Sequence, residues 1–102
     1  AAQANLVRQL SRALGPSGVS CHVVAPGPVD TPRLRRLAED EAAAGGTTAE
    51  AVLDRLAGTS PVGRLTTPEE VAWAVARLTE PEAEVLTGGA LLLDAGRRTA
   101  IP

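Results

Sequence analysis

Near the start of the chain Leu6, Leu10, Ala13 and Leu14, with Val7 beside them, recur at three- and four-residue steps. That spacing predicts an amphipathic helix over 1–14. Gly15-Pro16-Ser17-Gly18 stops it, since glycine suits a helix end and proline cannot continue one. The period then changes to two. Val19, Cys21 and Val23 alternate with Ser20 and His22 until Val23-Val24-Ala25 turns wholly apolar, which predicts a strand over 19–25. A strand apolar on both faces belongs inside a sheet covered by helices, as parallel sheets are.

Residues 33–57 read as weaker helix. Leu34 and Leu37 form a short apolar stripe, and Gly45-Gly46 breaks it. Thr47 with Glu50 is the expected capping box of a second helix through Val52, Leu53 and Leu56. The sharpest start signal is Thr67-Pro68-Glu69-Glu70, with a cap, a proline suited to the first helical position and a glutamate that reaches back. Val71, Ala74, Val75 and Leu78 follow on one face, and Pro81 is expected to end the helix. A second strand, Ala90-Leu91-Leu92-Leu93, lies between Thr87-Gly88-Gly89 and Asp94-Ala95-Gly96. Two strands separated by helices suggest a parallel crossover. Two strands do not complete a doubly wound sheet, so the expectation is the carboxyl-terminal part of a larger α/β domain.

Composition adds to this. The 102 residues contain no Met, which also points to a fragment, and no Phe or Tyr, so a core rests on Leu, Val and Ala. A net charge of −2 leaves no basic footprint for nucleic acid. No apolar run is long enough to span a bilayer, and no signal peptide is legible. Cys21, the single cysteine, has no partner for an internal disulfide and fits a reducing cytoplasm.

Candidate chemistry is sparse. His22 and Cys21 are adjacent on a strand, with side chains on opposite faces, and no metal-ligand spacing exists, so no metal site is expected. His22 reads as a hydrogen-bonded structural residue before it reads as a base. Ser60, His22 and Asp94 make a triad only by arbitrary choice, without a nucleophile elbow. No glycine-rich phosphate loop is present. The residues alone assign no catalytic group. Arg33, Arg35 and Arg36 read as a solvated helix face, with substrate contact as the less favoured alternative.

Three ordered strings carry more. "VVAPGPVDTP", "PVGRLTTPEEVAWAVARL" and "TGGALLLDAG" resemble the carboxyl-terminal part of the classical short-chain dehydrogenase/reductase family, and residues 1–19 are similar to its active-site helix. The resemblance covers about residues 1 to 97. It implies the last two strands, with their helices, of a Rossmann-type doubly wound parallel sheet, within one domain spanning 1–102. It also implies NAD or NADP as cofactor, hydride transfer to or from a small alcohol or ketone, and homo-dimers or homo-tetramers. The family's Tyr and Lys would fall just before Ala1, and its glycine-rich loop and Ser further upstream. His22 stands where the family usually has Asn, and Ala95 where it has Gly.

By the same resemblance, the loop after the first strand lies against the nicotinamide. Pro26 stiffens it, Gly27 allows close approach, and the Val29 backbone and Thr31 hydroxyl hold the carboxamide. Thr31 reads equally as the N-cap of the helix beginning at Pro32. Residues 32–60 would form a substrate-covering lid hinged at Gly45-Gly46. Trp73 is a candidate interface residue or a locally packed one. The leading expectation is part of an NAD(P)-dependent oxidoreductase. The alternative is a non-catalytic interaction or oligomerisation module.

Overall fold

The computed structural model describes residues 2–99. Helix α1 spans Ala2–Leu14, strand β1 Val23–Pro26, helix α2 Pro32–Gly45, helix α3 Ala49–Ala57, helix α4 Pro68–Arg77 and strand β2 Ala90–Leu93. Short 3₁₀ turns cover Gly15–Ser17 and Pro81–Leu86. Val23 N–H donates to Gly89 O and Gly27 N–H to Leu93 O, both at 3.0 Å. Pairing thus advances four residues on each strand in the same direction, so β1 and β2 are parallel, as expected. The chain forms two compact units, one built from residues up to Ala25 with Ala72–Leu92, the other from Pro26–Val71 with the residues from Leu93.

In the first unit α1 forms as its periodicity predicts, but its leucines are not covered. Leu6 is 60% exposed and Leu10 40%, and only Ser11 of this helix is buried. Ser11 lies under the loop before β2, where Gly88 has φ +80° and an added Cβ would sit 2.7 Å from the Ser11 hydroxyl oxygen. Only glycine fits there. The strand expected from Val19 begins at Val23. Val19 N–H closes the end of α1 on Leu14 O, and Cys21 pairs with the loop instead, donating to Thr87 Oγ1 (3.1 Å) and accepting from Gly88 N–H (2.7 Å). Those backbone groups are therefore unavailable to a longer ladder.

The second unit holds the best-formed core, where Ala38 and Ala42 of α2 meet Val52 of α3, flanked by Ala49 and Leu53. Small residues let the two helices approach closely. The expected Thr47–Glu50 box is not made. Thr47 N–H is spent on Ala42 O at the end of α2, and Thr48 caps α3 by accepting from Ala51 N–H at 3.1 Å. The box at α4 does form: Thr67 Oγ1 accepts from Glu70 N–H (3.1 Å), and Glu70 Oε1 accepts from Thr67 N–H (2.8 Å). Helix α4 ends at Arg77, before Pro81, because Leu78 N–H turns back to Val75 O and the Thr79 hydroxyl donates to Ala76 O.

Candidate functional site

The loop leaving β1 is held from both sides. Gly27 N–H is bonded to Leu93 O, and a Cβ on Gly27 would lie 3.0 Å from Asp94 Cα and 3.1 Å from its Cβ. A side chain at 27 would crowd the chain leaving β2, a packing reason for glycine distinct from the close ligand approach expected at this position. Asp94 is fixed in turn: its Oδ1 accepts from Gly96 N–H and its Oδ2 from Arg98 N–H.

Two residues on, Val29 forms a parallel bridge with Thr66. Thr66 N–H donates to Pro28 O (3.3 Å) and Asp30 N–H to Thr66 O (2.8 Å). In such a bridge the central residue's own peptide groups point the other way. Val29 N–H and C=O accordingly take no backbone hydrogen bond among the described residues. Thr31 then caps α2, its Oγ1 accepting from Leu34 N–H at 3.1 Å and its C=O from Arg35 N–H at 3.0 Å. The cap uses an oxygen lone pair and leaves the hydroxyl proton free to donate.

Asp30 and Arg35 form a two-pronged pair, Nε to Oδ1 at 2.8 Å and Nη2 to Oδ2 at 2.9 Å. That hydrogen bonding raises the Arg35 pKa above its ordinary value and engages its guanidinium with Asp30. Gly27, Val29 and Thr31 come together on one cleft of about 360 Å³, completed by Arg33, Leu34 and Leu37. Pro26 is exposed and does not line it. Among its lining residues are Val29, whose peptide groups take no backbone hydrogen bond among the described residues, and Thr31, whose hydroxyl proton is unspent, beside the apolar Leu34 and Leu37. That set is complementary to a primary carboxamide, which needs both kinds of partner. Periodicity could not find Thr66 or Asp94, because each acts through a contact distant in sequence.

The other candidates are accounted for. The Ser60 hydroxyl donates to Ala95 O at 2.8 Å and accepts from Val62 N–H. His22 lines a separate cavity of about 80 Å³ with Leu78, Leu86, Gly89, Ala90 and Leu91, and its Nε2 is buried without a partner. Ala95 sits at φ +53°, a conformation a side chain disfavours. No group of three or more metal-ligating side chains occurs among the described residues, and no helix there is long and apolar enough to cross a membrane.

Comparison with known proteins gives a consistent result. A family profile described as "Enoyl-(Acyl carrier protein) reductase" matches residues 1–98. The short-chain reductase protein NovJ of Streptomyces niveus is 42% identical over 94 residues, which cover 92% of this chain and 34% of that protein. The chain therefore spans about a third of the length of the curated relatives it matches. A short chain dehydrogenase family protein from Francisella tularensis superposes with TM-score 0.88 at 27% identity, covering 94% of this chain and 40% of the other. An actinorhodin polyketide ketoreductase solved with NADPH superposes with TM-score 0.83 at 30% identity, covering 95% and 37%.

Proposed function

The chain belongs to the short-chain dehydrogenase/reductase family, and we propose that it forms the carboxyl-terminal part of an NAD(P)-dependent oxidoreductase acting on a small alcohol or ketone. The observation that carries this reading is the Val29 peptide. Its unclaimed N–H and C=O stand beside the free Thr31 proton on the cleft, a set that fits the carboxamide of a nicotinamide. The nicotinamide supplies the hydride chemistry when bound. Gly27, Val29 and Thr31 then hold and orient it, and orientation decides which ring face is presented. Pro26 acts only by stiffening the strand end.

The 102 residues contain no Tyr and no Lys, the pair that carries proton transfer in this family, so no residue of this chain fills either role. The α2–α3 hairpin, packed on Ala38, Ala42 and Val52, is the substrate cover over 32–60. Cys21, a free thiol, supports a cytoplasmic setting. A second reading, an oligomerisation module, is favoured by Trp73, 63% exposed with the Arg77 guanidinium 5.6 Å from its ring centre. That reading makes the chain a non-catalytic module, whereas in the oxidoreductase reading α4 pairs subunits of a homo-dimer or homo-tetramer.

The test is a titration of the full-length protein with NADPH and with NADH, followed through the amide resonances of Val29 and Thr31. Saturable shifts at both are expected. Shifts confined to other parts of the protein would remove the loop from the cofactor site.

A further inference from the structure

We propose that Arg33 recognises an anionic group, a carboxylate or a phosphate, on the substrate of this site; the inference rests on the cofactor platform being Gly27, Val29 and Thr31. Arg33 lines the same cleft as those three residues, beside Leu34 and Leu37, and no carboxylate lines it. Five other arginines are engaged: Arg35 with Asp30, Arg55 with Glu41, Arg64 with Glu70, Arg77 with Glu80 and Arg98 with Asp94. Arg33, like Arg8, Arg12, Arg36 and Arg97, has no ion-pair partner among the described residues, and of these it alone lines the cleft. Of the three arginines opening α2, Arg35 is clamped and Arg36 does not line the cleft, so Arg33 alone presents an unspent guanidinium there.

Its position in the helix argues against a purely structural role. Arg33 follows Pro32 at the start of α2, and the first turn contains no acid. A cation at that end opposes the helix dipole, so Arg33 is not chosen for helix stability. The planar guanidinium presents parallel N–H groups that match carboxylate and phosphate oxygens. Leu37, 53% exposed, and the half-buried Leu34 give the cleft an apolar side for the substrate's carbon body. The substrate class is thus a carbonyl compound, or the corresponding alcohol, that carries one anionic group apart from the reacting carbon.

The test uses the full-length protein and two matched pairs of probes, acetoacetate with its methyl ester and dihydroxyacetone phosphate with dihydroxyacetone. Without cofactor, the Arg33 side-chain Nε–H resonance should shift with an anionic member and stay still with its neutral partner. With cofactor, Arg33→Gln should lower kcat/KM for that anionic member by about tenfold to a hundredfold, the range of a charge-assisted hydrogen bond. The neutral partner and the cofactor dissociation constant should be unchanged, and Arg33→Lys should retain part of the preference. Which pair responds separates carboxylate from phosphate. An Arg33 signal indifferent to both anions, or an Arg33→Gln variant that discriminates as the parent does, overturns the proposal. Weaker cofactor binding by Arg33→Gln overturns it too, because Arg33 would then be reading the cofactor's own phosphates. If NADPH leaves Val29 and Thr31 unmoved while acetoacetate still shifts Arg33, the platform fails and the anion site stands.

Discussion

Thr31 is a single hydroxyl with two separable duties. Its oxygen already accepts the Leu34 N–H, so removing it costs the cap in any case. Thr31→Val should lower stability by roughly 0.5–2 kcal/mol. If the free proton also holds the carboxamide, cofactor affinity should fall several-fold as well, for a hydrogen bond worth about 0.5–1.5 kcal/mol. Thr31→Ser should preserve both. Measuring the melt and the cofactor dissociation constant on each variant separates the duties, and an unchanged dissociation constant in Thr31→Val leaves only the cap. Ala95 shows the reverse situation. It occupies φ +53°, where glycine is at ease, in a turn held by the Ser60 hydroxyl on its carbonyl and by Asp94 on Gly96 N–H. Ala95→Gly should raise stability by about 1 kcal/mol, read by denaturant titration, because the relieved strain exceeds the added unfolded-state freedom. His22, the other departure from the family pattern, leaves a buried ring nitrogen without a partner.

Helix α4 is the element whose local chemistry is most complete. Its capping box is reciprocal, and Arg64 adds a two-pronged pair to the Glu70 carboxylate, both contacts at 2.7 Å. The Arg64 hydrogen bonds, and then the Thr67 backbone N–H, lower the Glu70 pKa from 4.5 to about 2. A folded-state pKa below the unfolded one contributes stability that is fully present above pH 4.5 and is lost as pH falls toward 2. The melting midpoint should therefore decline across that window. Glu70→Gln, which can still accept from Thr67 N–H, should flatten the decline and weaken its salt dependence. A parent and variant with superimposable pH profiles would assign the acid sensitivity elsewhere. The effect is modest, since Glu70 and Arg64 are about half exposed.

On the scale of the whole molecule, the apolar surface is poorly covered. Among the described residues the buried hydrophobic ones are Ala38, Ala42, Val52, Ala74 and Ala83, and none is large. Leu6, Leu10, Leu14, Val75, Val85 and Leu86 are all exposed, Val85 at 87%. With no leucine fully buried among the described residues, there is little transfer free energy to oppose conformational entropy. The 102-residue chain on its own should bind a hydrophobic dye and melt broadly, without a sharp calorimetric transition. A cooperative melt at monomeric mass would show that the α2–α3 core suffices. The isolated chain should also show no turnover of secondary alcohols with NAD or NADP, since it has no Tyr or Lys to exchange the substrate proton.

Local signals determined the helices and the second strand. Leucine spacing marked α1, Thr67-Pro68-Glu69-Glu70 marked the start of α4, and the run at Ala90–Leu93 marked β2 with its bounds intact. The three ordered strings were enough to indicate the family. Each of these rests on neighbours in sequence, where propensity and capping act. The first strand was shortened because Cys21 spends its backbone groups on Thr87 and Gly88, residues 66 or more positions away, and no local pattern contains that competition. The cap of α3 moved to Thr48 because the end of α2 had already claimed Thr47. The cleft was likewise beyond local reading. Thr66 turns the Val29 peptide groups outward, Asp94 would crowd a side chain at 27, and Asp30 clamps Arg35, leaving Arg33 as the free cation beside Leu34 and Leu37. Of three similar arginines, Arg35 is claimed by the nearby Asp30, Arg36 lies away from the cleft and Arg33 lines it, and which side chain reaches the cleft is decided by the tertiary structure.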